Sequence, residues 1–172
     1  YPGISGSLVW TDAFKIQSDW LNYGKLRVGY AKVGNDASPQ NGQDVFGLSS
    51  TSFLGQPRAS RGATTYDPEL TPEFTNELEA GADFQLFKRR VTAEITWYDK
   101  RTTNLIYAVD VPTTTGYSSF YTNIGEIRNT GWEIGLGLKP VAKKDLVWEI
   151  NAAYTLNRNT VEKLVDGLDR IL

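Results

Sequence analysis

Apolar and polar residues alternate most regularly between Asn76 and Tyr98, on either side of a break at Lys88–Arg90. A period of two residues is the signature of a β-strand with one apolar and one polar face, so the two halves predict a β-hairpin. Strands of about 10 residues with a continuous apolar face and an acidic opposite face are more typical of membrane barrels than of soluble sheets. The apolar positions are Leu78, Ala80, Ala82, Phe84, Leu86, Val91, Ala93, Ile95 and Trp97.

The pairing register of this hairpin has an electrostatic consequence. Pairing Leu86 with Val91 places large apolar residues opposite small ones, but it also places Asp83 opposite Glu94. Directly opposed like charges are destabilising, so this register requires a positive charge to neutralise them. In a barrel, that charge could be a cation in the lumen or a basic residue of a domain that plugs the lumen. A register slipped by two residues would instead set Asp83 against Thr96. We favour the first register.

The same alternation recurs along the chain and predicts about six antiparallel strands. A short crossing at 16–24 joins the first two strands, and long polar loops span 35–75 and 112–128. Pro140 is expected to end the fifth strand. Residues spaced as in a helix predict a short helix after the sixth strand; they are Val161, Leu164, Val165 and Leu168. The predicted strands are approximately 4–14, 25–33, 76–87, 91–107, 130–139 and 146–157.

Tight turns that alternate with long polar loops are the asymmetry of a transmembrane β-barrel, whose turns are periplasmic and whose loops are extracellular. We therefore predict an all-β fold, an antiparallel transmembrane β-barrel wall segment. Six strands cannot close a channel-sized barrel, because the smallest single-chain barrels have about 8 strands and large transporters about 22. The chain is expected to be part of such a larger barrel, and it contains no plug domain.

The two faces of such a wall meet different surroundings. Large aromatic residues near the strand ends are expected to form lipid-facing girdles; they are Trp97, Trp132, Trp148 and Tyr154. Acidic residues on the opposite face are expected to line a wet lumen; they are Glu77, Glu79, Asp83, Glu94, Glu133 and Glu149.

Composition excludes several classes of function. The 172 residues include no Cys and no His, so a disulfide framework, a Cys nucleophile, a Ser/His/Asp triad and a His-ligated zinc site are impossible within this chain. A net charge of −2 gives no reason to expect nucleic acid as a partner. The sequence contains no run of about 18 apolar residues, so it does not predict a transmembrane helix. Because the chain opens at Tyr1 without an initiator Met or a signal segment, we expect it to be processed or excised from something longer.

Several short motifs appear in a fixed order. Leu70–Glu73 reads LTPE, and it is followed by Glu79, Gly81 and Asp83. The stretch 97–106 reads WYDKRTTNLI, 123–133 reads NIGEIRNTGWE, and 157–164 reads NRNTVEKL. In order and spacing these segments resemble those of SusC/RagA-like TonB-dependent transporters. A looser resemblance covers the strand from Leu26 to Asn35.

The resemblance implies a large outer-membrane barrel of a Gram-negative, Bacteroidetes-type cell that imports glycans or peptides into the periplasm. It also implies three partners: TonB, which would act through regions absent from this chain, a SusD-like surface lipoprotein as lid, and the lipid of the outer membrane. No cofactor is implied. Aromatic residues on the second long loop are candidates for substrate contact; they are Tyr107, Tyr117, Phe120 and Tyr121.

Other interpretations of the same residues stay open. Carboxyl groups that share a face with Glu94 could form a glycosidase-like acid pair, but solvated charges are commoner, and catalysis is not expected. Asp36, Asp44 and Asp67 lack the spacing of a calcium loop, so no metal site is predicted. A soluble secreted β-sandwich that binds carbohydrate would bury the same apolar faces in a core. A small lipocalin-like barrel is a third alternative, although its lumen should be apolar.

Overall fold

The computed structural model describes residues 1–37 and 46–164, and most of its regular structure is β-strand. One short α-helix and a single-turn 3-10 helix at Thr113–Thr115 complete the described elements. In chain order, these elements are β1 Gly3–Val9, α1 Trp10–Ala13, β2 Leu21–Asn35, β3 Phe46–Phe53, β4 Gln56–Arg61, β5 Thr64–Tyr66, β6 Glu73–Leu86, β7 Val91–Thr103, β8 Ile106–Asp110, β9 Ser119–Asn123, β10 Gly125–Lys143 and β11 Leu146–Leu164.

The longest strands form one six-stranded sheet in the order β1-β2-β6-β7-β10-β11. The chain divides into two compact units. Unit 1 comprises Tyr1–Val33, Thr75–Thr102 and Ile127–Glu162, and unit 2 comprises Gly34–Phe74, Thr103–Glu126 and Lys163–Leu172.

In unit 1 the register places large apolar residues together on one face of the sheet. β1 pairs antiparallel with β2, with Leu8 opposite Leu26. β10 pairs antiparallel with β7, with Trp132 opposite Trp97 and Leu138 opposite Val91. In a strand, alternate residues share a face, so these pairs extend the apolar face across neighbouring strands.

This apolar face has no second layer of structure packed on it among the described residues. Trp132 is 46% exposed and Trp148 is 55% exposed, and in unit 1 only Leu21 is a buried apolar residue. Burial of apolar surface is the main favourable term in folding. A sheet that leaves such side chains uncovered therefore requires an apolar environment outside the described chain.

The first predicted strand, 4–14, is too long. β1 ends at Val9 and α1 begins at Trp10. The Trp10 ring meets the Phe84 ring edge-on with 6.5 Å between centroids, and the Thr11 hydroxyl accepts a hydrogen bond from the Gly24 N–H at 3.2 Å. These contacts with β2 and β6 form only when the chain leaves the strand path. The crossing expected at 16–24 is also shorter, because β2 already begins at Leu21.

The predicted strand 91–107 is interrupted. β7 ends at Thr103, and Asn104 has a φ of 54°, a left-handed conformation that Asn tolerates better than most residues. Leu105 then exchanges backbone hydrogen bonds with the segment 124–125. β8 begins at Ile106 as a separate element.

The remaining long strands have different bounds from those predicted. β2, β6 and β10 start before 25, 76 and 130, while β10 and β11 continue past 139 and 157. Pro140 lies inside β10, because the fixed φ of proline is compatible with extended backbone and removes only one donor. Val161 and Leu164 belong to β11, so the helix expected there is wrong over these residues. Val165 and Leu168 lie outside the described residues.

The predicted loops 35–75 and 112–128 contain the short strands β3, β4, β5 and β9 of unit 2. β3 and β4 form an antiparallel pair. β5, β9 and β8 form a three-stranded sheet in which β5 runs parallel to β9 and β8 runs antiparallel to it. Strands of three to eight residues are too short for alternation to be visible in the sequence, and their partners are distant along the chain. Ile124, which follows β9, is fully buried.

Candidate functional site

An arginine hub lies at the centre of the polar face of unit 1. The guanidinium of Arg27 on β2 lies 3.9 Å from Glu79, 3.3 Å from Asp83 and 2.9 Å from Glu94, measured between nitrogen and carboxylate oxygen. It also donates a hydrogen bond of 2.9 Å to the Thr96 hydroxyl. One cation therefore neutralises acidic residues of both β6 and β7.

This hub supplies the positive charge that the favoured hairpin register requires. The favoured register, which pairs Leu86 with Val91, also pairs Thr75 with Thr102. In the structure the hydroxyl oxygens of these two threonines are 2.9 Å apart. The neutralising charge on Asp83 and Glu94 comes from the neighbouring strand. Arg27 was not identified as a site residue from the sequence. The sequence indicates only that Arg27 lies between Leu26 and Val28 and therefore on the polar face of its strand.

Gly81 makes room for the hub. A Cβ at this position would lie 2.8 Å from the Nε of Arg27, closer than real Cβ atoms approach a neighbouring group. The glycine of the Glu79, Gly81 and Asp83 motif therefore has a steric role: it lets the guanidinium lie flat against β6 between the two carboxylates.

An open polar cavity of about 530 Å³ adjoins the hub and is lined by Glu77, Glu79, Glu94, Glu133 and neighbouring polar residues. Glu77 pairs with Lys100 at 3.3 Å, and the sixth predicted lumen residue, Glu149, pairs with Lys139 at 2.7 Å. Five of the six predicted acidic residues thus face basic partners. Because these carboxylates face cations beside an open polar cavity, the arrangement is suited to a hydrated charged surface.

The predicted girdle residues lie on the opposite face. Trp97 and Trp132 are directly paired across β7 and β10. Glu149 lies on the polar face together with its partner Lys139. Trp148 and Tyr154 are even-numbered positions of the same strand, so they lie on the opposite face from Glu149. Their side chains are 55% and 58% exposed. All four residues therefore belong to the uncovered apolar face.

The predicted loop aromatics of unit 2 do not form one cluster. In the register of β8 and β9, Tyr107 and Phe120 share one face of the three-stranded sheet, and Tyr121 lies on the other. Tyr121 stacks on Tyr66, with ring centroids 5.3 Å apart and an interplanar angle of 16°. Tyr66 was missed because it lies in a strand of three residues with no visible pattern.

Tyr117 has a separate environment. The guanidinium carbon of Arg61 lies 4.0 Å from the centroid of its ring, a cation–π arrangement. This contact links the end of β4 to the segment after the 3-10 helix. The four aromatic residues are therefore distributed over three places in unit 2, and one of them, Tyr121, forms a stacked pair with Tyr66.

Motif residues in unit 2 hold its segments together. The Asn123 side chain accepts a hydrogen bond from the Thr71 N–H at 2.8 Å and donates to the carbonyl oxygens of Thr71 and Asn104. Glu73 accepts hydrogen bonds from the Asn35 side chain at 2.8 Å and from the Ile106 N–H at 3.2 Å. The LTPE and NIG segments thus have a structural role in this unit.

Asp67 is held ionised by its hydrogen bonds. The Thr122 hydroxyl, at 2.7 Å, and then the backbone N–H of Glu69, at 3.0 Å, lower the pKa of this carboxyl below its usual value of 3.8. Both donors favour the charged form. Asp67 therefore fastens the segment after β5 to β9.

Two features are absent from residues 1–37 and 46–164. No helix there is long and apolar enough to cross a membrane. No group of three or more Asp, Glu, His or Cys side chains is placed to hold a metal ion. Asp44, named above with Asp36 and Asp67, lies outside the described residues.

Comparison with known families gives a match over most of the chain. Residues 5–170 match the family described as TonB dependent receptor-like, beta-barrel. The chain is 30% identical over 178 residues to TonB-dependent receptor P26 of Formosa agariphila, with 100% of this chain and 18% of that protein covered. It is 33% identical over 105 residues to TonB-dependent receptor SusC of Bacteroides thetaiotaomicron, with 60% and 10% covered.

Solved structures show the same relationship. The RagAB peptide importer in its closed-closed state matches 99% of this chain with a TM-score of 0.84 and 26% identity, and 19% of that chain is covered. Thus the chain spans less than a fifth of the length of these relatives. Their names describe receptors and importers rather than enzymes. A similarity of this extent also supports the predicted wall of a larger β-barrel.

Proposed function

From the premise that this chain belongs to the TonB dependent receptor-like β-barrel family, we propose that it forms wall and outer loops of an outer-membrane importer. The longer protein would take glycans or peptides into the periplasm of a Gram-negative, Bacteroidetes-type cell, driven by TonB and capped by a SusD-like lipoprotein. The similarity to SusC and to the RagAB peptide importer supports this proposal.

The observation that carries the proposal is the two-faced sheet of unit 1. One face exposes residues such as Ile4, Trp132 and Trp148, which are 74%, 46% and 55% exposed. The other face carries the Arg27 hub and the paired carboxylates. Lipid on the first face and water on the second would satisfy both, since lipid-facing and lumen-facing residues alternate along barrel strands.

Spin labels on β10 test this assignment in the longer protein reconstituted in bilayers. We expect a label at Ile134→Cys to collide with dissolved oxygen and hardly with a water-soluble nickel chelate, since oxygen concentrates in lipid. The matched control is Glu133→Cys, one residue away on the polar face, for which the nickel chelate should dominate. If the label at 134 is shielded from both reagents, the apolar face is packed against protein, and the soluble sandwich replaces the barrel wall.

We also propose that the loop aromatics Tyr107, Tyr117, Phe120 and Tyr121 contact the substrate, together with Tyr66. Aromatic rings offer flat apolar surface to sugar rings and peptide side chains. The stacked pair Tyr66–Tyr121 supports this role most strongly, because the two rings hold each other in a fixed orientation.

A further inference from the structure

One end of the apolar face of unit 1 is charged. Along β7 and β10, the Trp97–Trp132 pair is followed by Asp99 opposite Thr130 and then by Arg101 opposite Arg128. These residues share the parity of the tryptophans and therefore lie on the same face. The two arginines, defined here as the arginine pair, lie towards the long connections of the sheet.

Like charges directly opposed across two strands are destabilising, so the arginine pair needs compensation. Arg128 donates to both carboxylate oxygens of Asp99, with Nε at 2.9 Å from Oδ1. Glu162 of β11 lies 3.3 Å from Arg101 and 3.5 Å from Arg128. Each guanidinium is therefore oriented by a carboxylate.

The cations are the exposed members of this cluster. The side chains of Arg101 and Arg128 are 53% and 45% exposed, whereas those of Asp99 and Glu162 are 21% and 27% exposed. The carboxylates lie beneath and hold the guanidinium groups in place. The surface presented to a partner is therefore cationic, although the cluster of four side chains carries no net charge.

A cavity of about 280 Å³ lies at this cluster. Its lining combines the four charged side chains with Tyr30, Leu78 and Asn76. An apolar wall on one side and exposed guanidinium groups on the other fit an amphiphile whose head is anionic. An exposed guanidinium attracts phosphate oxygens by its charge, and Asp99 and Glu162 hold the two guanidinium groups in fixed orientations.

The depth of the cluster fits a lipid headgroup. The arginine pair lies four residues beyond the tryptophan pair, about 13 Å along the strand. At a strand tilt of about 40° this is roughly 10 Å along the membrane normal. Tryptophan rings lie at the membrane interface, so long arginine side chains reach the polar layer just outside it.

We infer that the arginine pair binds the phosphate of a lipid headgroup in the outer leaflet, with the acyl chain against Leu78 and Tyr30. This inference rests on the proposed function, because it requires lipid on the apolar face. It adds a specific lipid-recognition site to a wall that would otherwise contact lipid without selectivity.

The test uses the longer protein in phosphatidylcholine bilayers that contain a small fraction of spin-labelled phosphatidic acid or spin-labelled phosphatidylcholine. Electron paramagnetic resonance gives the relative association of the two lipids with the protein. We expect the Arg101→Gln/Arg128→Gln variant to lose selectivity for phosphatidic acid at one site by about fivefold or more, because each cation near an anionic headgroup contributes on that scale.

Two controls separate this inference from others. Lys139→Gln also removes a cation from β10, but on the polar face, and should leave the selectivity unchanged. Arg101→Lys/Arg128→Lys keeps the charge and loses the planar groups that Asp99 and Glu162 orient, so it should give an intermediate selectivity. Unchanged selectivity in the double glutamine variant would overturn the inference. If the Ile134 label is shielded from lipid, the proposed wall itself fails; if that label meets lipid and selectivity is unchanged, only the phosphate site fails.

Discussion

A single residue, Arg27, allows three carboxylates to share one face of the sheet in unit 1. Its side chain is 29% exposed, so the surrounding dielectric is lower than in bulk water and its pairings are stronger than those at an open surface. Removing one partner of such a cluster leaves the others mutually repulsive. The stability of the β2, β6 and β7 strands therefore depends on this side chain more than on any one of its partners.

Arg27→Gln is expected to lower the free energy of unfolding of the longer protein by about 1 to 3 kcal/mol. The measurement is the temperature at which the barrel loses its folded mobility in gel electrophoresis. Lys139→Gln, which breaks the more exposed Lys139–Glu149 pair, should cost less than about 1 kcal/mol. Adding Glu94→Gln to Arg27→Gln should recover part of the loss, because one unpaired charge is removed. Equal effects of Arg27→Gln and Lys139→Gln would contradict the hub.

Gly125→Ala is expected to destabilise unit 2. Gly125 has a φ of 143°, and an added Cβ would collide with the backbone oxygen of Lys163. Strained backbone of this kind costs on the order of 1 to 3 kcal/mol. Gly135→Ala on the same strand is the control, since its Cβ would lie at an ordinary 3.8 Å from the Cβ of Glu94. Hydrogen exchange at the Ile124 and Leu105 amides should accelerate only in the first variant.

The Asp67–Thr122 hydrogen bond predicts a pH dependence in unit 2. Because the folded pKa of Asp67 lies below 3.8, this carboxyl stabilises the folded unit above its unfolded pKa. The stabilisation is lost as the pH falls through the lower folded value. A spin label at Glu69→Cys should become mobile only below about pH 3.8.

Thr122→Val removes the hydrogen bond that contributes most to the lowered pKa of Asp67. The pH midpoint at which the label at position 69 becomes mobile should therefore rise towards 3.8. The control is Thr115→Val, which alters a threonine hydroxyl bonded to Pro112 and Tyr117 in the same unit. A midpoint that is equal in the three proteins would show that Asp67 does not set the transition.

At the scale of elements, the β6–β7 turn has unusual backbone geometry. Phe87, Lys88 and Arg89 all have φ between 53° and 63°, the left-handed region that costs a residue with a side chain about 1 to 2 kcal/mol. The start of β2 and the residue before it hold the turn in place, since the Phe87 N–H donates to the Trp20 carbonyl at 2.7 Å and the Arg89 N–H donates to the Asn22 side chain at 3.2 Å.

Lys88→Gly is therefore expected to stabilise the hairpin by about 0.5 to 1 kcal/mol, the relief of strain less the added flexibility of the unfolded chain. Lys144→Gly in the β10–β11 turn is the matched control, because Lys144 has no positive φ and should lose stability instead. Thermal unfolding of the two variants compares them directly. A loss of stability in Lys88→Gly would mean that the turn is not strained.

At the scale of the whole molecule, the described residues do not supply a core that explains the stability of the sheet. The apolar face of unit 1 remains exposed, and the relatives are at least five times longer than this chain. Lipid and the remaining barrel strands would supply that missing burial. Stability is thus a property of the assembled wall.

Substrate uptake by the longer protein tests the aromatic surface of unit 2. Tyr66→Ala/Tyr121→Ala removes the stacked pair and should reduce uptake of the glycan or peptide substrate about tenfold or more, given roughly 0.5 to 1.5 kcal/mol for each aromatic contact. Val109→Ala, on the opposite face of the same sheet, is the control for altered loop folding. If both variants lower uptake equally, the stacked pair has no special role in binding.

The fold class was predictable because the alternation of apolar and polar residues is a local property of each long strand. The same pattern identified Trp97, Trp132 and Glu133 as members of opposite faces. Bounds such as the end of β1 at Val9 were not predictable, because they depend on packing of α1 against other strands. The short strands β5 and β9 were missed for a different reason, since strands of three and five residues are too short to show alternation.

The sequence by itself determined which residues share a face and that long and short connections alternate, since both follow from the two-residue period of an extended chain. Only the tertiary structure decided which side chains meet. Arg27 reaches Glu79, Asp83 and Glu94 because β2, β6 and β7 are neighbours in the sheet, although the residues are far apart in the chain. Contacts across strands depend on strand order and register, which no local pattern encodes.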